Sequence, residues 1–137
     1  MQTYITREQD YALRIVAALA GIQDESHLSI TTLCKKLLVT RNFAGKIVHK
    51  LKHAGIVNTT QGQFGGVFLS KATANISMYE VLSAIGFRTK FNECLREEIS
   101  CPLETICGFH GYFHNIENNF LNEMKSKMIS EFVIKIK

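Results

Sequence analysis

The feature that most constrains the fold is a pair of short amphipathic segments in the first half of the chain. Ser29 is placed to cap a helix over about residues 30–37, and Thr40 is placed to cap a second helix that runs to about His53 and ends at Gly55. The second segment has an apolar stripe at helical spacing, made of Phe43, Ile47, Val48 and Leu51. Two helices joined by a short turn, the second with exposed Arg, Asn and Lys, indicate a helix-turn-helix.

The next segment predicts a β-hairpin directly after these helices. Residues 56–60 are typical of a strand, residues 61–66 of a glycine-rich turn, and residues 67–69 of a returning strand. Glycine permits positive φ angles and lets the backbone approach a phosphate closely. A nucleotide-binding loop would require a following helix and a lysine at a fixed offset, and both are missing here. The hairpin is therefore predicted to be the wing of a winged helix-turn-helix.

Charge is distributed unevenly along the chain. No acidic residue lies between Glu25 and Glu80, whereas the net charge of the whole chain is +4. Seven basic residues occupy that interval: Lys35, Lys36, Arg41, Lys46, Lys50, Lys52 and Lys71. A field of one sign suits a polyanion such as double-stranded DNA, although a solvated basic face is the simpler alternative.

Particular roles on DNA follow from side-chain chemistry. Arg41 and Asn42 can bond the edges of guanine and adenine, with Lys46 beside them. Phosphate contacts are assigned to the remaining lysines near the two helices, Lys35, Lys36, Lys50 and Lys52. The wing is expected to present Gln61 and Gln63 to the DNA.

Further helices flank this unit. Thr6 and Gln9 form a capping box for a helix from about Arg7 that stops at Gly21, and Ser77 with Glu80 predicts a second box for a helix over residues 78–85, closed by Gly86. A long C-terminal helix follows, with a stripe of Phe109, Phe113, Ile116, Phe120, Met124 and Met128. This stripe fits packing against the first helix and a dimer interface equally well. The tail is expected to add a short helix containing Phe132 and Val133.

Taken together, the elements predict a mainly α fold with a small β-hairpin: a winged helix-turn-helix plus a long C-terminal dimerisation helix. We expect one compact unit with a DNA-binding part over residues 1–86, a cysteine-containing loop over 87–108, and the dimerisation helix and tail over 109–137. The N-terminus lacks the pattern of a secretory signal, and no apolar run approaches the length of a membrane span. A cytoplasmic location is therefore expected, where thiols stay reduced.

Three of the four cysteines lie close together in the predicted loop. Cys94, Cys101 and Cys107 are followed by His110, and three thiols cannot all pair within one chain. In a reducing compartment such a group favours metal binding over disulfides. The spacing lacks the close cysteine pairs typical of structural zinc, although these cysteines with His110 still allow a tetrahedral zinc site, and a direct thiol redox switch also remains open. The lone Cys34 is interpreted as a small buried side chain.

Several longer motifs resemble one protein family. They are Asp10-Tyr-Ala-Leu-Arg14, Leu51-Lys-His-Ala-Gly-Ile-Val57, Gly62-Gln-Phe-Gly-Gly-Val67, and Cys101-Pro-Leu-Glu-Thr-Ile-Cys107-Gly before a long helix. Together they resemble the Rrf2 family of winged-helix regulators, typified by IscR, NsrR and RirA, and the last motif looks especially like the RirA branch. The likeness covers almost the whole chain.

The resemblance implies a homodimeric DNA-binding transcription factor, a repressor rather than an enzyme. It implies that Cys94, Cys101 and Cys107 hold an iron-sulfur cluster, of the 2Fe-2S or 4Fe-4S type, which senses iron-sulfur status, nitric oxide or redox state. Its fourth ligand would be His110, as in IscR-like members, or Asp10 of the partner subunit, as in NsrR-like members. Weaker substitutes are Glu8 and His114. Thiolate ligation of this kind is the usual chemistry of iron-sulfur clusters.

The chain departs from the family at two DNA-facing positions. Gln61 stands where the wing commonly has an arginine, and Gly45 stands where IscR places a glutamate. We therefore expect a different operator sequence. The alternatives are a zinc-stabilised or cluster-free thiol-redox regulator and, in another class, a small redox or electron-transfer protein. The last of these has no use for the basic interval.

Overall fold

A computed structural model of the chain describes residues 3–22, 27–63, 65–88 and 90–135. The predicted wing residue Phe64 and the last two residues of the predicted tail lie outside the described residues. The helices and strands are α1 (Arg7–Ala20), α2 (Ile30–Leu37), α3 (Arg41–His53), β1 (Val57–Thr60), β2 (Gly66–Leu69), α4 (Met78–Ala84) and α5 (Gly108–Ser126). Short 3-10 turns cover Thr73–Asn75, Glu93–Leu95 and Ile129–Glu131. This order confirms the mainly α fold with a winged helix-turn-helix.

The helices begin where the capping residues predict. At α1 the Thr6 N–H donates to Gln9 Oε1 at 3.0 Å, and the Gln9 N–H donates to the Thr6 hydroxyl at 3.1 Å, so the capping box is complete. Ser29 and Thr40 cap α2 and α3 in the same way. At α4 the Ser77 hydroxyl accepts a hydrogen bond from the Glu80 N–H. The Glu80 carboxylate pairs with Lys71, however, and does not complete the second predicted capping box.

The main core lies between α1 and the helix-turn-helix. Helix α1 packs on α2, α3 and α4, and most of its apolar face is buried against theirs. The largest side chains buried there include Ile15, Leu33, Ile47, Leu51, Ile56 and Val81. Because this core draws on four helices and the hairpin, it holds α3 in a fixed orientation with its polar face outward.

The wing is an antiparallel hairpin with Val57 opposite Leu69 and Thr60 opposite Gly66. Leu28 extends it by a single bridge, because the Leu28 N–H donates to the Val67 carbonyl at 2.9 Å and the Val67 N–H donates back at 2.8 Å. No pattern in the sequence predicts this bridge, since a single residue pair shows no periodicity. It anchors the returning strand to the segment before α2.

Helix α5 has two different halves. Its C-terminal half packs Phe120 and Met124 against Leu82 and Phe87, whereas Phe109 in its first turn is exposed. The predicted stripe is therefore partly intramolecular core. Within the described part of the chain, no helix is long and apolar enough to cross a membrane.

The prediction of a short helix containing Phe132 and Val133 is wrong. The helical turn covers Ile129–Glu131, and Phe132 and Val133 follow it in non-helical conformation. The reason is tertiary: Ile129 is buried in the main core, and the Ile134 N–H donates to the Ala17 carbonyl at 3.0 Å. The chain after the turn is thus tied to α1 instead of continuing a helix.

Candidate functional site

The outward face of α3 carries the predicted DNA-binding residues. Burial of Ala44, Ile47, Val48 and Leu51 fixes the inner face of this helix. Arg41, Asn42 and Lys46 are exposed on its other side, at and near its N-terminus. The structure therefore brings the three predicted base-reading residues to one surface.

A cleft of about 390 Å³ separates this surface from the wing. Arg41 lines it from the helix side, and its Nη1 donates to the Thr31 hydroxyl at 3.4 Å. Gln61 and Gln63 line the cleft from the wing side. Arg41, one of the predicted base-reading residues, thus faces the same space as the two wing glutamines. Thr31 and the wing threonines also border it, and sequence reasoning missed them because threonine is common at such positions.

The wing glycines have specific steric roles. Gly62 has a φ of 99°, a conformation that favours glycine. A Cβ added at Gly65 would collide with the Thr60 carbonyl oxygen, and one added at Gly66 would lie 2.5 Å from the Leu28 carbonyl oxygen. By contrast, a Cβ at Gly45 on α3 would meet nothing within 4 Å. The glycine at that position does not relieve a clash. It leaves a shallow place on the outward face of α3, which we term the reading surface.

The predicted phosphate-binding lysines differ in their surroundings. Lys35 and Lys36 are exposed in the last turn of α2. Lys52 Nζ donates to the Thr59 hydroxyl at 2.9 Å, which turns this side chain toward the hairpin. Lys50 Nζ lies 2.6 Å from Glu8 Oε1 of α1. A carboxylate from outside the acid-free interval therefore reaches the basic surface, which the charge pattern along the chain did not indicate.

Arg7 is an additional cation near this surface. Its guanidinium lies 4.4 Å from the ring centroid of Phe43 on α3 and 5.0 Å from that of Tyr11. The two rings meet edge to face with centroids 5.6 Å apart. Sequence reasoning missed Arg7 because it lies far from α3 along the chain, and only the packing of α1 on α3 brings it there.

The cysteine loop is open. Cys94, Cys101 and Cys107 are free and half-buried, with Cys94 inside the turn Glu93–Leu95 and Cys107 directly before α5. Across residues 3–22, 27–63, 65–88 and 90–135, no three His, Cys, Asp or Glu side chains are grouped so that they could hold a metal ion. The structure therefore places the predicted thiols on one loop but does not gather them into a ligand set.

The candidates for a fourth ligand differ in their contacts. His110 Nδ1 is buried without a hydrogen-bond partner, its Nε2 lies 3.5 Å from Glu104 Oε1, and its ring stacks on His114 at 6.4 Å between centroids. Asp10 is instead paired with Arg14 at 3.1 Å. Three free thiols and an unpartnered imidazole nitrogen fit the donor chemistry of an iron-sulfur cluster. The loop would have to rearrange for these groups to share one.

Cys34 differs from the loop cysteines. It is buried under α3, its Sγ lies 3.8 Å from the Thr40 carbonyl oxygen, and burial raises the pKa of its thiol despite the nearby positive charge of Arg41. A protonated, inaccessible thiol is a poor ligand and a poor nucleophile. The interpretation of Cys34 as a structural side chain is confirmed.

Exposed apolar side chains occur at the end of the loop and the start of α5. We use the term apolar face for these side chains, Leu103, Ile106, Phe109 and Tyr112. A groove of about 440 Å³ runs along it, lined by Phe109, Tyr112, Phe113 and Gly108. Ile106 is 80% exposed and Phe109 is 73% exposed, which is unusual for large apolar side chains grouped together.

Comparison with known proteins gives consistent results. Residues 5–135 match the sequence profile of the Rrf2 family, described as an iron-dependent transcriptional regulator. Among curated proteins, the protein aau3 of Rhizobium meliloti is 28% identical over 94% of this chain and 84% of its own length. The HTH-type transcriptional regulator NsrR of Shouchella clausii is 25% identical over 95% of this chain and 88% of its own length.

Solved structures show the same fold. A transcriptional regulator from Listeria innocua superposes with a TM-score of 0.80 at 17% identity, covering 93% of this chain and 84% of its own. IscR of T. potens gives a TM-score of 0.71 at 13% identity, covering 93% and 84%. CymR of B. subtilis, titled the global cysteine regulator, gives 0.71 at 18% identity, covering 96% of each chain.

Proposed function

Because this chain belongs to the Rrf2 family of transcriptional regulators, we propose that it acts as a homodimeric repressor whose DNA affinity is controlled by an iron-sulfur cluster. The cluster would be held by Cys94, Cys101 and Cys107. The observation that carries the proposal is the position of three free, half-buried thiols on the loop between the winged helix and α5. The signal would be iron-sulfur status, nitric oxide or redox state, sensed in the cytoplasm.

Double-stranded DNA is the partner that the outward face of α3 supports best. Arg41, Asn42 and Lys46 are exposed on one helix, and the wing faces Arg41 across the cleft. A helix of this size fits the major groove, where Arg and Asn bond the edges of guanine and adenine. The wing would approach the adjacent backbone with Gln61 and Gln63, and Lys35, Lys36 and Lys52 would contact phosphates.

The loop residues divide the ligand roles. Cys94, Cys101 and Cys107 supply thiolates, and the unpartnered Nδ1 of His110 makes it the favoured fourth ligand in the same chain. Asp10 of the partner subunit remains the alternative, at the cost of its pairing with Arg14. When bound, the cluster supplies iron that reacts with oxidants and nitric oxide. Imidazole or carboxylate ligation leaves one iron more labile than thiolate ligation, which suits a sensor.

Dimerisation would use the apolar face, which includes the start of α5. The exposed Phe109 and Tyr112 flank a groove that the described part of the same chain leaves uncovered. A two-fold dimer would place two copies of α3 on successive turns of DNA, as helix-turn-helix dimers require. We propose a division into a DNA-binding part over residues 1–86, the loop over 87–108 and the dimerisation part over 109–137.

The cluster is tested by anaerobic purification followed by visible absorption and by iron, sulfide and zinc analysis. The expected result is a brown protein with iron and sulfide in equal amounts. Cys101→Ala is expected to abolish the chromophore, whereas Cys34→Ala is a matched control that keeps it. A Cys101→Ala protein with an unchanged spectrum contradicts the site.

The DNA role is tested separately with Lys46→Ala. This variant is expected to weaken binding to a DNA duplex and to keep the visible spectrum, because Lys46 lies on α3 and far from the loop in sequence. Lys71→Ala is the control, since Lys71 follows the wing and pairs with Glu80. Loss of the chromophore together with DNA binding in Lys46→Ala would indicate a folding defect.

A second candidate is a cluster-free thiol-redox or zinc-stabilised regulator. It is favoured by the separation of the loop thiols, which form no ligand set within the described residues. Zinc in place of iron and sulfide, or a metal-free protein whose DNA affinity falls on oxidation, would support this candidate instead.

A further inference from the structure

One ion pair links the first turn of α1 to α3. Glu8 Oε1 lies 2.6 Å from Lys50 Nζ, and the two side chains are 31% and 46% exposed, respectively. Of the ion pairs formed by the described residues, this is the one that involves α3. Its exposure means that solvent, and any polyanion on this surface, can reach the lysine.

The surroundings hold Glu8 in this position. The Thr6–Gln9 capping box fixes the first turn of α1, and the neighbouring Arg7 guanidinium stacks over the Phe43 ring at 4.4 Å. A carboxylate in a first turn is also favoured by the helix dipole. Glu8 therefore reaches Lys50 from a fixed backbone, whereas Arg14 and Asp10 pair along a single helix and leave α3 untouched.

We infer that Glu8 lowers the affinity of this chain for DNA by neutralising Lys50 on the reading surface. The inference rests on the proposed DNA-binding function. A lysine that contacts a phosphate releases a counterion from the DNA, and this release supplies most of the affinity that is independent of sequence. If Lys50 stays paired with Glu8, its contact with a phosphate releases fewer counterions. If Lys50 leaves Glu8 to bind the phosphate, the freed carboxylate repels the DNA.

The consequence is a weaker binding that does not depend on sequence. Phosphate contacts carry no sequence information, whereas Arg41 and Asn42 are placed to read base edges. Removing one phosphate contact weakens binding to all sequences alike, so the affinity for every site falls while the ratio of specific to non-specific affinity stays the same. Glu8 thereby reduces the part of the binding free energy that comes from the lysines, and leaves the part that comes from the base-reading residues.

The test compares Glu8→Gln with the parent protein on a short duplex of random sequence over a range of salt concentrations. The variant is expected to bind several-fold more tightly at low salt, and the slope of log K against log salt is expected to steepen by about 0.9, the value for one extra phosphate contact. Glu80→Gln is the matched control. It breaks an ion pair with Lys71 in which Glu80 is also 31% exposed, but this pair does not involve α3.

A second comparison distinguishes the effect of the Glu8–Lys50 ion pair from the effect of a change in net charge. In a Lys50→Ala protein, Glu8→Gln is expected to leave the slope unchanged, because the lysine that it would release is absent. Lys50→Ala alone is also expected to weaken binding less than Lys46→Ala. Thermal unfolding of each variant establishes that it is folded.

Three results would overturn the inference while leaving the DNA-binding function intact. They are an unchanged slope in Glu8→Gln, an equal change in Glu80→Gln, and an equal effect of Glu8→Gln with and without Lys50. A parent protein that shows no salt-dependent binding to any duplex would instead refute the proposed function, and the inference with it.

Discussion

The winged helix-turn-helix and the cysteine loop differ in how they bury their apolar side chains. In the first, α1 to α4 and the hairpin share one core in which Ile15, Leu33 and Leu51 are completely buried. In the second, Leu95 is buried, but Leu103 and Ile106 remain exposed. The DNA-binding half thus has an extensive apolar core, whereas the loop buries few apolar side chains of its own.

The loop is nevertheless attached at one end. Glu117 of α5 is buried, and its Oε1 lies 3.2 Å from Lys90 Nζ while its Oε2 accepts from the Phe91 N–H at 3.4 Å. The Phe91 ring also packs against Tyr4 and Phe120, with centroids 5.6 Å and 6.0 Å away. The entry to the loop is therefore fixed on α5. Cys94 lies in the turn Glu93–Leu95, which also packs on α5, whereas Cys101 and Cys107 lie beyond this attachment. This arrangement suits a segment that rearranges around a ligand while its anchor stays in place.

The largest expected effect distinguishes the stabilities of the two regions. Leu51→Ala removes a fully buried side chain and is expected to lower the free energy of unfolding by about 2 to 5 kcal/mol. Cys101→Ala in the metal-free protein is expected to change it by no more than about 0.5 kcal/mol, since the loop has little packing to lose. Urea unfolding followed by circular dichroism measures both. Equal losses would show that the loop belongs to the main core.

The next prediction concerns the apolar face. Phe109→Asp is expected to raise the dimer dissociation constant at least about tenfold, because a charge would be placed in the proposed interface. Leu38→Asp is the control, since Leu38 is equally apolar and 86% exposed, but lies on the winged-helix half. Sedimentation equilibrium measures both. A dimer that tolerates Phe109→Asp would move the interface elsewhere.

Thiol chemistry gives a third contrast. In the folded, metal-free protein, iodoacetamide is expected to alkylate Cys94, Cys101 and Cys107 at least about ten times faster than Cys34, because burial shields Cys34 and raises the pKa of its thiol. Peptide mass spectrometry over time gives the four rates. Unfolding in urea should remove the difference, and its persistence there would point to a local sequence effect.

The smallest effect lies in the turn of the helix-turn-helix. Leu38 has a φ of 57°, a left-handed conformation that is unfavourable for a residue with a Cβ. Leu38→Gly is expected to stabilise the protein by about 0.5 to 1 kcal/mol, because strain is relieved and little packing is lost. Chemical unfolding measures the gain. A loss of stability would mean that the leucine side chain contributes more packing than its exposure indicates.

Local signals determined most of the elements. Threonine and serine at the caps, followed by apolar residues at helical spacing, located the starts of α1, α2 and α3 to the residue. These signals work because a cap and the helix that it starts are only a few residues apart. The glycine-rich hairpin and the exposure of Arg41, Asn42 and Lys46 followed from equally local patterns.

The contacts between distant segments required the folded chain. The Leu28–Val67 bridge, the stacking of Arg7 on Phe43 and the pairing of Glu8 with Lys50 join residues that no local pattern relates. The tail was also decided this way, because Ile129 and Ile134 are held by contacts to the core and α1.

The sequence by itself thus determined the winged helix, the run of basic residues and the family of this protein. Only the tertiary structure decided which of those basic charges remain free on the reading surface. The physical reason is that charge along a chain is counted in order, whereas electrostatic interaction depends on distance in space. A carboxylate 42 residues away in sequence lies 2.6 Å from Lys50 and changes what that lysine can do.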